Sequence, residues 1–338
     1  MKFTVGYPQR RNDAFISRII ECSDAISEVY FSFGDIPNGR SPTSNDEPPF
    51  EAQARQLADL SRIAGAGIGL NLLLNANCYG EDSLSRSFFI RLGDTIDWLS
   101  SRFPLGSVTT TSPLIGKFIH ENFDSLEVRA SVNIGIGTTN AMDAVAGYFD
   151  SFYLKREQNR NIGAIHKIRD WCDRNSKSLY ILANSGCMND CPAHTFHDNL
   201  VAHEAEISKR DNAYAFTGIC RDYLKNPGKR LSVVRDMNYI RPEDIHLYEG
   251  LCRAVKLATR VNPNPVRLLD AYLERVYRGA VTDLLEPDNG SAMLPTIVDN
   301  SKFPKDFGER VMSCDKNCET CGYCERVFEG ASVTLHDI

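Results

Sequence analysis

The chain lacks any run of eighteen apolar residues, so no membrane-spanning helix is expected. It also lacks a strong charge of either sign: 38 Lys and Arg stand against 44 Asp and Glu, a net charge of -6. That balance gives no broad basic surface for nucleic acid, although a local basic groove stays open. The opening Met1-Lys2-Phe3-Thr4-Val5-Gly6 goes straight into a strand pattern without the apolar stretch of a signal peptide. A cytoplasmic location is the expectation, where thiols stay reduced and clustered cysteines more often bind metal than form disulfides. Two motifs of hydrolases are missing as well. There is no Gly-x-Ser-x-Gly elbow and no His-Glu-x-x-His helix.

What is present is an α/β alternation. Phe3 to Tyr7, Glu28 to Phe33, Ile68 to Leu74, Ser107 to Thr111, Val128 to Ile134, Phe152 to Leu154 and Leu179 to Ala183 read as strands. Helical patterns lie between them, among them Asp13 to Ser27, Glu51 to Ala66, Leu84 to Phe103 and Asn161 to Asn175. Such units point to a TIM-like (β/α)8 barrel over 1–286, with a doubly wound open sheet as the structural alternative. Either Tyr214 to Ile219 or Ala254 to Leu257 closes the barrel. The later segment is preferred, which leaves an excursion around 205–250. Pro265 to Leu285 reads as a final helix, and a Cys-rich extension occupies 287–338.

The eleven cysteines are an odd count, which disfavours a complete disulfide framework. Cys187 and Cys191 lie four positions apart just past the seventh strand, followed by His194 and His197. With those imidazoles they make a compact Cys2His2 zinc set. Alternatively they join Cys220 and Cys252 as four ligands of a cluster. Cys187-x3-Cys191 also looks like the start of a radical S-adenosylmethionine motif, but His194 stands where its third cysteine belongs. Near the C-terminus, Cys314, Cys318, Cys321 and Cys324 place four thiols within eleven residues, with Gly322 allowing a tight turn. That run suits an iron–sulfur cluster, with structural zinc as the alternative. Cys22 and Cys172 fall on helical patterns and read as core or surface residues.

In such a barrel the chemistry sits where strands lead into helices. Arg10, Arg11, Arg40, Lys155, Arg156, Arg160, Lys256 and Arg260 follow predicted strands. They either converge on an anionic substrate or are solvated loop charges. Of these, Arg156, Arg160, Lys256 and Arg260 are taken as substrate-binding candidates. His194 and His197 are candidates for proton transfer.

Four stretches together carry a family resemblance: Asn184 to Cys191, Ile240-Arg241-Pro242-Glu243-Asp244-Ile245, Lys256-Leu257-Ala258-Thr259-Arg260, and the run from Cys314 to Cys324. They resemble the collagenase-like peptidase family U-thirty-two, over the last half of the chain by motif and over the first half by barrel pattern. The resemblance implies a barrel with a cysteine-ligated [4Fe-4S] cluster. Members are tied to oxygen-independent hydroxylation in ubiquinone biosynthesis and of RNA, and others were labelled collagenases. The cysteine spacing here departs from the hydroxylases, so their substrates do not carry over. The terminal quartet suggests a second metal centre.

Three functions follow as expectations. The first is an iron–sulfur enzyme acting on a small anionic or peptide-linked substrate in the barrel mouth. Cys187, Cys191, Cys220 and Cys252 would hold its cluster. The second is a non-catalytic electron-transfer subunit or a member of a protein complex, which would bring a protein partner. The third is a peptidase, with Cys187 and His197 as a conceivable thiol pair.

Overall fold

In a computed structural model of the chain, residues 1–39 and 47–335 are described. Arg40 therefore lies outside the described residues, as does most of the polar loop expected between Asp35 and Pro49.

Eight parallel strands close into a barrel in sequence order. They are β1 (Phe3–Gly6), β2 (Ile26–Phe31), β3 (Gly69–Leu74), β4 (Leu105–Thr110), β5 (Glu127–Ala130), β6 (Ser151–Tyr153), β7 (Ser178–Leu182) and β8 (Ala254–Leu257). Helices α1 (Asp13–Glu21), α2 (Pro49–Gly65), α3 (Arg86–Ser100), α4 (Pro113–Asn122), α5 (Thr139–Val145) and α6 (Ile162–Arg174) form the crossovers. Their starts are set locally. Asn12, Ser85, Ser112, Thr138 and Asn161 each accept a backbone N–H from the first turn, satisfying a donor the helix cannot.

The segment from 183 to 253 replaces a single crossover helix with α7 (His194–Ala202), α8 (Glu204–Ile207), α9 (Ile219–Lys225) and α10 (Ser232–Arg235). The preferred eighth strand holds. Tyr214, from the rival segment, is 94% exposed and lies in no strand. Pro242 stands at the first position of a 3-10 helix, Pro242–Tyr248, as its fixed φ favours. The closing helix α11 (Pro265–Glu274) is shorter than the pattern to Leu285 suggested. It stops where Arg275 takes the left-handed conformation, φ 56°.

The extension adds β9 (Thr296–Val298), α12 (Phe307–Met312), α13 (Cys318–Cys321), α14 (Tyr323–Ala331) and β10 (Ser332–Thr334), with β10 antiparallel to β9. Its apolar residues do not pack alone. Val281, Val298, Phe307, Val327 and Ala331 share a second core with Leu224, Val233, Val234, Met237 and Tyr239 of the excursion. The two irregular segments are thus one structural unit laid beside the barrel. Among the described residues no helix is long and apolar enough to cross a membrane.

Alternation along the strands sorts the barrel's two faces. Val255 and Leu257 join the large core under the helices, whereas Ala254 packs inside with Tyr153, Tyr180 and Leu182. The barrel lumen is unusually polar. Arg129 donates from Nη2 to Glu28 Oε2 at 3.2 Å and pairs with Glu28 through Nη1 as well. Asn71 and Ser107 bond at 2.6 Å, and Thr109 donates to Asn71 at 2.9 Å.

Candidate functional site

The segment after β7 is fixed from three sides. Asn184 Nδ2 donates to the carbonyls of Ala258 and Leu284, at 3.1 and 2.8 Å, and its Oδ1 accepts from Ala258 N at 2.7 Å. This one amide joins the ends of β7 and β8 to the start of the extension. Gly186 comes next, and a Cβ there would stand 2.2 Å from Pro287 O, so only glycine permits the approach. Asn189 N then donates to Asp236 O at 2.7 Å. Cys187 is held between these anchors, at the carboxyl end of the barrel.

Arg156, just past β6, meets it there. Its Nη1 donates to Cys187 Sγ at 3.1 Å and its Nη2 to Asn133 Oδ1 at 2.8 Å. Asp198 sits nearby on α7 and accepts from Asn77 Nδ2 at 2.9 Å. His194 Nε2 lies 3.3 Å from Asp198 Oδ2, within ion-pair range, yet it is buried without a hydrogen bond of good geometry. Burial and then the Arg156 charge push the His194 pKa down, so the neutral imidazole is favoured.

Cys220 approaches from α9. A Cβ on Gly218 would stand 3.3 Å from Cys220 Sγ and 3.7 Å from His197 Cε1, so Gly218 separates thiol from imidazole. The Cys220 thiol donates to Asn289 Oδ1 at 3.5 Å, and Asn289 Nδ2 donates to Gly186 O at 3.1 Å. Burial, then Cys187, with a contribution from Cys191, push the Cys220 thiol up. Cys187 and Cys191 thus both lie close enough to act on Cys220.

Cys252 does not join them. It precedes β8, and in a parallel barrel residues before a strand lie at the opposite end from residues after one. Its Sγ is 4.0 Å from Tyr248 O, and burial pushes the thiol up to about 12. Arg160 is also occupied elsewhere. It donates to Val234 O at 2.8 Å and to Tyr239 O, and stacks on Tyr239 and Phe307. The guanidinium ties the barrel to the second core and presents no free fork to a ligand. Arg260 does lie by the mouth, donating to Ser32 Oγ and Asn38 Oδ1 at 3.1 Å each.

Lys256 points into the lumen. Its Nζ is 4.1 Å from the Tyr30 ring centroid and 5.0 Å from that of Tyr153. Burial first, then Arg260, with Arg129 and Arg156 behind, push this amine down to about 7, against the pull of Glu28. The two tyrosines and the Glu28–Arg129 pair were invisible as site residues in the sequence. The available signal was a charged or phenolic residue at alternate positions of an otherwise apolar strand.

In the extension Cys314, Cys318 and Cys321 are exposed and Cys324 is half-buried. Lys316 N donates to Cys314 Sγ at 3.3 Å, and both Lys316 and Gly322 take left-handed backbone conformations that bend the run on itself. Burial, then Arg160, act on Cys324 in opposite directions. The other three thiols add to the burial effect, and the net shift is upward. All eleven cysteines are free thiols. Among the described residues, no three His, Cys, Asp or Glu side chains already converge at metal-binding geometry.

The fold and mouth place the chain among (β/α)8 barrels, and its likeness to peptidase family U-thirty-two extends through both halves. It is 25% identical over 319 residues to an "Uncharacterized protease MJ1657" of Methanocaldococcus jannaschii, across 90% of this chain and 88% of that protein. The solved structure of the U32 peptidase Mk0906 superposes with a TM-score of 0.54 at 16% identity, covering 76% of this chain and 91% of that one. That second likeness is one of fold. No family model matches the chain.

Proposed function

We propose that this chain is an iron–sulfur enzyme that modifies a small anionic or peptide-linked substrate in the barrel mouth, in the manner of an oxygen-independent hydroxylase. One observation supports this above the others. Cys187 and Cys191 after β7 lie close enough to Cys220 on α9 to act on its thiol, and Cys187 itself meets the Arg156 guanidinium. Both neighbours hold the Cys220 thiol up, and a bound cation would relieve that effect. The donor set suits a cluster by type: three thiols, with His197 or His194 as the nearest further donors. Closure onto a cluster would require the side chains to draw in from their present positions. A bound cluster would supply electron transfer or a Lewis-acidic iron.

The surrounding residues have separate tasks in this reading. Arg156 and Arg260 set a positive potential for an anionic substrate, and Lys256 lies below them in the lumen. His194, half-buried and favoured neutral, is suited to accept a proton, and His197 is the second candidate. Cys314, Cys318, Cys321 and Cys324 would hold a second centre, a cluster or zinc. The N–H···S contact to Cys314 is of the kind that steadies a metal-bound thiolate. A reducing cytoplasm is the compartment this thiol chemistry needs. Neither a membrane nor nucleic acid is invoked as a partner.

Anaerobic purification with iron and acid-labile sulfide assays tests the reading. Iron and sulfide in near-equal amounts, bleached on chelation, are the expected result. A colourless protein that binds neither after anaerobic reconstitution would end it. The relatives' names favour a peptidase as second reading, with Cys187 beside Arg156 as its thiol. Peptide cleavage by iron-free protein would select that alternative. A protein that holds iron, changes no substrate and co-purifies with another chain would instead be an electron-transfer subunit.

A further inference from the structure

Lys256 is the one lysine that the barrel encloses. It lies on β8 between two aromatic rings from β2 and β6, only 7% exposed. No hydrogen bond or ion pair engages its Nζ among the described residues. That is an unusual condition for an ammonium group, since a buried charge ordinarily has an acceptor. Charges face it from several elements: Glu28 on β2, Arg129 on β5, and Arg156 and Arg260 in the loops after β6 and β8. Tyr30 and Tyr153 add two phenols whose own ionisation burial suppresses. Arg129 is already paired to Glu28 and Glu127, so Arg156 and Arg260 leave the surround positive.

A lysine desolvated in this way beside other cations is held as the free amine and becomes a nucleophile toward carbonyl carbon. We infer that Lys256 forms a Schiff base with a substrate carrying a carbonyl group and an anionic substituent, the anion lying toward Arg156 and Arg260. The Nζ lone pair attacks the carbonyl carbon and forms the C–N bond. A proton moves from nitrogen to oxygen to give the carbinolamine. Loss of water then leaves the imine, and no oxidant or reductant is needed. This deepens the reading above by naming a substrate class, and rests on it only in taking the barrel mouth as the active site.

Reductive trapping tests it on the intact protein. The full chain is incubated at pH 7 with pyruvate as the probe and sodium cyanoborohydride, then digested and the adducts mapped by mass spectrometry. At that pH an ordinary lysine is almost wholly protonated, whereas the enclosed Lys256, its amine pushed down by burial, has a far larger free share. Labelling of Lys256 at least about tenfold faster than the average of the other lysines is expected. The adduct should disappear in Lys256→Arg, with far-ultraviolet circular dichroism unchanged. Modification confined to surface lysines, or spread over all of them without preference, would overturn the inference. Iron assayed on the same preparation separates the outcomes, because trapping at Lys256 does not depend on whether a cluster is bound.

Discussion

The two terminal nitrogens of Arg156 are divided between Cys187 Sγ, at 3.1 Å, and Asn133 Oδ1, at 2.8 Å. One buried guanidinium thus joins the loop after β7 to the loop after β5. Hydrogen bonds from a charged donor contribute roughly 1.5–3 kcal/mol each when the partner stays buried. Arg156→Met is therefore expected to lower unfolding stability by about 2 kcal/mol. Arg156→Lys should recover less than half of that, since a single ammonium cannot reproduce the planar fork. Urea titrations with the slope held constant read both values. A fully restored Lys variant would show that charge alone matters at this position.

The positions of the thiols divide them into groups that iron content can distinguish. Cys187→Ser, Cys191→Ser and Cys220→Ser should each lose most of the barrel-mouth iron. Cys252→Ser should lose none, because Cys252 lies at the other end of the barrel beside Tyr248. Substitutions in the quartet from Cys314 to Cys324 should remove a separate, smaller share of total metal, with the mouth unaffected. Metal analysis of the eight single variants is the check. Equal loss from Cys252→Ser and Cys187→Ser would contradict the assignment of ligands by barrel end.

This division shows what the letters could and could not carry. Strand positions were legible because apolar runs such as Leu72 to Leu74 must be buried on both faces in a parallel barrel, and Ala254 to Leu257 closed the ring as read. Grouping Cys252 with Cys187 failed because spacing along the chain does not say at which end of a strand a residue sits. Arg160 misled for a related reason: a rim position counts for nothing once Val234 and Tyr239 carbonyls have taken the guanidinium. Helix α11 was over-extended because the stop at Arg275 is a left-handed residue other than glycine, which leaves no letter to read. The shared core of excursion and extension depends on packing such as α10 against α14, far apart in sequence and without a periodic signature.

The lumen pair Glu28 and Arg129 gives a stability prediction. Arg129 has a side-chain exposure of 1% and Glu28 of 11%, and Arg129 also reaches Glu127 at 2.9 Å and Tyr180 at 3.0 Å. Removing one partner of such a pair leaves an uncompensated buried charge, at a cost of about 3–5 kcal/mol. Arg129→Met should approach that range, while Arg129→Met combined with Glu28→Gln should be milder than the single change. Thermal and urea unfolding of Arg129→Met, Glu28→Gln and the double variant read the difference. A double variant as unstable as the sum of both singles would mean that the pair is not coupled.

The free amine of Lys256 carries a pH signature in stability as well as in reactivity. Its pKa is pushed down to about 7 in the folded chain, against about 10.4 for an unfolded lysine. Between those values the unfolded chain binds a proton that the folded chain does not, so this residue makes stability rise with pH. Below about pH 7 both states are protonated and the full penalty of the buried charge is present. Above about pH 10.5 it vanishes. Lys256→Met removes the titration but keeps most of the stem's volume. It should stabilise the protein most at pH 6, by up to 3–5 kcal/mol in order of magnitude, and the advantage should shrink steadily toward pH 9.5. Urea midpoints for the wild-type chain and the variant at matched pH values isolate this term, since every other titrating group is common to both. A difference that stays constant across the range would mean that the Lys256 ammonium is as well solvated in the lumen as it is in the unfolded chain.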